Sequence, residues 1–140
     1  MEKRINRAKE LFNKGYNCSQ SVFVAFSALY GLDEETALKL SMPFGGGYAG
    51  TRDICGAVSA MAMIAGLETG TVKPKDKEGK QNCYNCTQML MSKFTEEHGS
   101  ILCKHLLGLE ISATPINRKD CCEYVSFCAR LVAENIISEE

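Results

Sequence analysis

Apolar residues recur at spacings of three and four along almost all of the 140-residue chain, and nowhere do β-branched residues alternate over the length of a strand. That periodicity restricts the chain to helices. Its first instance runs from Glu2 to Asn13, with Ile5, Ala8, Leu11 and Phe12 on one face. Gly15 follows, in the position where glycine closes a helix by a left-handed turn.

Helix starts are marked as clearly as the periodicity. Asn17-Cys18-Ser19-Gln20 has the form of a capping box ahead of the apolar run Val22 to Leu29, and it puts Cys18 in a first turn. Asp33 caps a short helix from about Glu34 to Met42, which Pro43 ends. Asp53 is the expected cap of the next helix, again with Cys55 in the first turn. Ala57, Ser59, Ala60, Ala62 and Ala65 line that helix and allow close neighbours, with Met61, Met63 and Ile64 between them, so it is expected at the centre of the bundle. Thr71 to Lys80 is polar and lysine-rich, is broken by proline and glycine, and reads as a surface connection. Helical spacing resumes from Asn82 to His98. Gly99-Ser100 then stops that helix and caps a short one, Ile101 to Leu107, with Cys103 near its start. Asp120-Cys121-Cys122-Glu123 resembles another capping box, leading into Val125, Leu131, Val132 and Ile136. The expected architecture is an all-α, single-domain helical bundle over residues 1–140, with four main helices plus two or three short ones.

Charge narrows the function classes. Seventeen acidic residues against sixteen basic ones leave a net charge of −1, too little for the electrostatic footprint that draws a protein to nucleic acid or anionic lipid. The longest uncharged apolar stretch, Ile54 to Leu67, falls well short of the roughly 20 residues that cross a bilayer. Met1 to Arg4 leads into an amphipathic pattern rather than a secretory signal, so a cytoplasmic location is expected. No nucleic-acid or membrane partner is expected, and a homodimer is the commonest assembly for a small bundle.

The eight cysteines are many for such a hydrophobic chain, and in a reducing compartment they point to redox chemistry or metal. Four of them, Cys18, Cys55, Cys103 and Cys121, fall in the first turns of four different helices. A helix N-terminus favours negative charge, so each should gain thiolate character, as disulfide exchange and metal ligation both require. Cys83-x-x-Cys86 would place two sulfurs one helical turn apart and suits an accessory redox or metal pair. Thr87 stands where a c-type haem site needs histidine. Cys122 could substitute for its neighbour Cys121, whereas Cys128 falls inside the last helix as core. His98 and His105 lie near helix ends, where capping or solvation is the ordinary role.

Gly45, Gly47 and Gly50 spell G-x-G-x-x-G, but that fingerprint binds dinucleotides only between a strand and a helix, and no Gly-Lys-Ser/Thr follows to make a phosphate loop. The glycines instead permit close backbone approach and expose amides near Cys55. Gly45, Gly46 and Gly47 are therefore candidate binding residues for a thiolate of the same chain, a metal held by it, or a small anion. Arg52 is near enough in sequence to help lower the pKa of Cys55.

Taken in order, Asn17-Cys18-Ser19-Gln20-Ser21-Val22, Phe44-Gly45-Gly46-Gly47, Cys55-Gly56-Ala57, Phe94 through Gly99-Ser100 to Cys103, and Cys121 ahead of Val125 resemble the C_GCAxxG_C_C family of redox-active proteins. That family is named for four invariant cysteines and a central C-G-A-x-x-G motif. The resemblance covers nearly the whole chain and implies Cys18, Cys55, Cys103 and Cys121 as the family cysteines. Ala60 replaces the last glycine of the motif. The family also looks related to part of the split-Soret cytochromes, although the haem attachment sequence is missing here.

The first functional expectation is a thiol redox protein in which Cys55 is the reactive thiolate and Cys18, Cys103 or Cys121 resolves it, with a redox partner protein or a small thiol as partner. The alternative is a binding protein in which the same four cysteines hold an iron-sulfur cluster or zinc. The third is an interaction module whose cysteines fill space.

Overall fold

A computed structural model describes residues 1–137, which form an all-α domain of seven helices: α1 Glu2–Asn13, α2 Cys18–Ser27, α3 Glu34–Ser41, α4 Gly56–Thr69, α5 Lys77–His98, α6 Cys103–Leu106 and α7 Cys121–Asn135. Short 3-10 turns follow α2 at Ala28–Tyr30 and α3 at Met42–Phe44. No strand occurs among the described residues, and no helix there is long and apolar enough to cross a membrane.

The helix starts follow from local chemistry. Asn17 accepts from the Gln20 amide while the Gln20 side chain accepts from the Asn17 amide, which completes the capping box of α2. Asp33 accepts from the Thr36 amide and Asp120 from the Glu123 amide, fixing the starts of α3 and α7. At the other ends, Gly15 and Gly99 turn left-handed after α1 and α5.

Boundaries differ from expectation at α4, α5 and α6, the last of which starts at Cys103 rather than Ile101. Asp76 accepts from the Gly79 amide and starts α5 at Lys77, so Lys77 to Lys80 belong to the helix rather than to the connection. The cap outweighs the local helix-breaking tendency of Gly79, whose amide it satisfies. Asp53 does not cap α4. The backbone from Asp53 to Cys55 pairs with Ile101–Cys103, so the helix begins only at Gly56 with Cys55 as its N-cap.

Two helices share the centre. In α2 every residue from Ser19 to Ser27 is buried, and it packs on α1, α3, α4 and α7. α4 packs on α2, α5 and α7 through Ala57, Ala60, Met61, Ile64 and Ala65. Ala60 is wholly buried, so the methyl that replaces the motif glycine is accommodated within the core. The N-termini of α2 and α4 meet at one end of the bundle, where α6 and α7 also begin.

Candidate functional site

Cys18, Cys55, Cys103 and Cys121, far apart in sequence, line one cavity of about 190 Å³. Each comes from the start of a different helix: Cys18, Cys103 and Cys121 are the first residues of α2, α6 and α7, and Cys55 caps α4. Phe12, Leu106, Leu107 and Tyr124 make much of the remaining wall apolar, and Arg52 is the charged side chain in it among the described residues. All eight cysteines are free thiols.

A short backbone pairing sets Cys55 beside Cys103. Ile54 and Leu102 form an isolated antiparallel bridge. On either side of it, the Cys55 amide donates to the Ile101 carbonyl and the Cys103 amide to the Asp53 carbonyl, both at 2.7 Å. Ser100, expected as the cap of this short helix, holds the approach instead: its hydroxyl accepts from the Leu102 amide and meets His105 Nδ1 at 3.0 Å.

The glycine loop serves these thiols. Gly46, Gly47, Tyr48, Ala49, Gly50 and Arg52 all have left-handed backbone, a conformation that costs each non-glycine member about 1–3 kcal/mol. Bonds from Ala49 N to Pro43 O (2.6 Å), Arg52 N to Gly46 O (3.0 Å) and Asp53 N to Gly47 O (2.7 Å) hold the loop folded on itself. A Cβ on Gly47 would lie 2.6 Å from Cys103 Cβ, and one on Gly56 would lie 2.6 Å from Cys18 Sγ and 2.8 Å from the Phe44 carbonyl oxygen. Glycine is required at both places because a sulfur-bearing residue occupies the space. The amides of Gly46 and Ala57 donate to Cys18, so the loop supports Cys18 more directly than Cys55. Of the three candidate binding glycines, Gly46 reaches the cavity wall, Gly47 backs Cys103, and Gly45 faces the Asn17 side chain.

The lowered pKa expected for Cys55 is overturned. Cys55 is only 6% exposed, and burial pushes its thiol up to about 12, with the neighbouring Cys18 adding to the rise and the Val58 and Ala57 amides offsetting only part of it. Burial likewise raises Cys18, against the amides of Gly46 and Ser19, and raises Cys121, with further contributions from Cys18 and Cys103. A helix N-terminus favours a thiolate only where the sulfur keeps some solvation, and these sulfurs are largely stripped of it.

Arg52 reaches a different cysteine. Its Nη1 donates to Cys103 Sγ at 3.6 Å, and the guanidinium in turn holds its own proton more tightly, chiefly through that bond. A cationic donor on sulfur stabilises negative charge there. The pairing of Arg52 with Cys103 was not legible from sequence, because 51 residues separate the two.

The remaining candidates fall elsewhere. Cys122 lies near Asp120, Glu123 and Lys9 and does not line the cavity, so Cys121 is the cavity member of the adjacent pair. Cys128 is fully buried in the core, as expected. Cys83 and Cys86 are half-buried on α5, away from the cavity. Among the described residues no three His, Cys, Asp or Glu side chains are disposed to share one metal ion.

His98 departs from its expected role. It is 3% exposed and enclosed by Phe94, Tyr124 and Phe127 at ring-centroid distances of 4.6, 4.9 and 4.7 Å. Burial lowers its pKa, so the folded state holds the neutral ring while the unfolded chain protonates near pH 6.5. The folded state therefore binds fewer protons, and its stability is full above about pH 6.5 and falls as pH drops below it. Chemical denaturation at about pH 7 and about pH 5 is expected to show a lower midpoint at the acidic value, and a smaller drop in His98→Phe; an equal drop in both proteins would exclude His98 as the cause.

Fold and cavity together define an all-α protein built round a cluster of thiols. The chain belongs to the C_GCAxxG_C_C family, described as "Putative redox-active protein (C_GCAxxG_C_C)", whose model matches residues 16–135 and so spans all four cavity cysteines. It is similar to an uncharacterized protein of Archaeoglobus fulgidus, with 29% identity over 96% of this chain and 94% of that protein. No solved structure matches it.

Proposed function

We propose that the protein exchanges dithiol for disulfide at the four-cysteine cavity, with Cys103 as the attacking thiolate, Cys18 as the resolving thiol, and Cys55 and Cys121 as the flanking thiols of the site. The observation that carries this reading is the convergence of four free thiols on one small apolar cavity whose single cation bonds the sulfur of Cys103. Exchange begins when the Cys103 thiolate attacks one sulfur of an incoming disulfide. Its S–S bond breaks, and the departing thiolate takes up the proton that Cys103 gave up. Cys18 then loses its proton and attacks Cys103 Sγ, expelling the second thiol, so that the protein is oxidised by two electrons and the disulfide is reduced to two thiols. The oxidant is a disulfide of a partner protein or of a small thiol. The amides of Gly46 and Ala57 stabilise the Cys18 thiolate as it forms.

Arg52→Met is expected to slow mixed-disulfide formation at neutral pH by about tenfold, the loss of one charge-assisted hydrogen bond of roughly 1.4 kcal/mol. Rates measured with a small neutral disulfide check this, and an unchanged rate would remove Arg52 from the mechanism.

The same four thiols are the donor set of the alternative, zinc or an iron-sulfur cluster, and cysteine sulfur suits both. The described arrangement does not bring three of them to one point, so no step is routed through a metal. Metal analysis and an absorption spectrum of anaerobically purified protein separate the two readings. Stoichiometric iron or zinc favours the metal; a colourless, metal-free, folded protein favours exchange.

A further inference from the structure

Cys83 and Cys86 lie on α5 at the opposite end of the bundle from the cavity. Cys86 lies beside the side chain of Thr69, the last residue of α4, while Cys55 caps the first turn of the same helix. With 14 residues in α4, a rise of about 1.5 Å per residue separates the two thiol groups by about 20 Å. They cannot be parts of one site.

The pair has the geometry of a disulfide. Residues three apart in an α-helix have Cα atoms about 5 Å apart, inside the range of about 4.4–6.8 Å that a disulfide spans without moving backbone. The two thiols differ in surroundings. Cys83 lines an open groove of about 340 Å³ between the α4–α5 connection and α5, with Lys73, Lys80 and Tyr84. Asp76 also lines it, but its carboxylate is engaged by the Gly79 amide. Cys86 is tucked against Thr69, next to Glu68.

We infer that Cys83 and Cys86 form a second dithiol–disulfide site, independent of the four-cysteine cavity, that takes anionic low-molecular-weight disulfides in the groove beside Lys73 and Lys80. Cys83 attacks one sulfur of the disulfide, whose S–S bond breaks, and the first small thiol leaves with the proton from Cys83. Cys86 then gives up its proton and attacks Cys83 Sγ, and the second small thiol departs carrying it. The protein dithiol is oxidised and the small disulfide is reduced to two thiols. The lysines select the charge of the substrate, and the groove has room for a short peptide that the cavity lacks.

The sequence makes the test clean, because tryptic cleavage after Lys80 and Lys93 releases both cysteines on one peptide with no other cysteine. Full-length protein treated with oxidised glutathione is expected to yield that peptide with Cys83 and Cys86 joined. Cys86→Ser should trap glutathione on Cys83, and Cys83→Ser should leave Cys86 unmodified over the same interval. Lys73→Glu should slow the reaction with oxidised glutathione about fivefold and leave the rate with neutral hydroxyethyl disulfide unchanged. The proposal is overturned if the peptide keeps two separate thiols, if Cys86 is modified first, or if Lys73→Glu slows both disulfides equally. Since only this peptide is read, the result stands apart from whatever the cavity cysteines do.

Discussion

Cys103→Ser is expected to lower the rate constant for exchange with a small disulfide at neutral pH by at least about a hundredfold, equivalent to about 2.7 kcal/mol of transition-state stabilisation. A serine hydroxyl in the same place keeps the bond to Arg52 but has no nucleophilic anion to offer. Exposure of Cys103 is 9%, so the change is near isosteric in a largely enclosed position, and circular dichroism should report an intact helical fold. The informative comparison is Cys122→Ser. Cys122 follows Cys121 in sequence but does not line the cavity, so its loss should leave the rate unchanged. If the two variants behave alike, the cavity is not where exchange takes place. Cys55→Ser distinguishes further: a thiol raised to about 12 by burial cannot initiate attack at neutral pH, so this variant should retain the first step and form mixed disulfides at close to the normal rate.

The second large effect concerns glycine. Gly56→Ala is expected to destabilise the protein by about 1–3 kcal/mol, the ordinary cost of overpacking, because the added Cβ would sit 2.6 Å from Cys18 Sγ and 2.8 Å from the Phe44 carbonyl oxygen. Neither neighbour yields easily. Cys18 is fixed at the start of a buried helix, and the carbonyl belongs to the turn that launches the glycine loop. Displacement of Cys18 should also reduce its ability to resolve the mixed disulfide, so stability and exchange fall together. Gly66→Ala, ten residues along the same helix, meets nothing within 4 Å and should stabilise the protein by roughly 0.5–1 kcal/mol by the difference in helix propensity alone. Denaturation midpoints of the two variants should thus move in opposite directions. A shared direction would mean that the contact with Cys18 does not decide the role of Gly56.

These two glycines show what the sequence conveyed and what it withheld. Local chemistry was legible: Asn17 with Gln20, Asp33 and Asp120 cap helices as their spacing implies, and three of the four cysteines stand as first helical residues. Placement of Cys18 and Cys121 needed only the short-range rules that govern helix starts, whereas that of Cys103 also rests on its backbone bond to Asp53. Cys55 was harder, because its helix start depends on pairing between residues 52–55 and 101–104, a contact across the chain that no local pattern announces. The same nonlocal contact redirects Arg52 from Cys55 to Cys103.

Electrostatics was misjudged for a related reason. From sequence, a cysteine in a first turn suggests a favoured thiolate, since the helix end is visible and the depth of burial is not. In the fold the apolar wall from Phe12, Leu106 and Tyr124 encloses the sulfurs, and desolvation outweighs the amides at Cys55. His98 was misjudged in the same direction. Its neighbours in sequence are Glu97 and Gly99, which suggest a solvated helix end, whereas Phe94 and Tyr124 enclose it from α5 and α7. Of the cavity wall, the cysteines, Gly46 and Arg52 were singled out by sequence, whereas Tyr124, one helical turn beyond Cys121 on α7, was not.

The glycine-rich stretch illustrates how a familiar pattern can be made by a different constraint. G-x-G-x-x-G at Gly45, Gly47 and Gly50 meets neither a strand nor a phosphate cradle here. Gly47 is glycine because Cys103 lies against it, and Gly46 turns its amide toward Cys18. Gly46 and Gly47 are thus explained by the thiols beside them, Gly45 by Asn17 and Gly50 by its left-handed backbone.

Disulfide mapping tests the exchange reading most directly. Full-length protein, reduced and freed of metal, is equilibrated with a small thiol and its disulfide over a range of ratios, quenched by alkylation and analysed by peptide mass. The account predicts a two-electron transition in which Cys103 becomes joined to Cys18 while the helical fold persists. Cavity thiols that remain separately alkylated at every ratio in a folded protein, or Cys103 left free while other cavity cysteines pair, would contradict it.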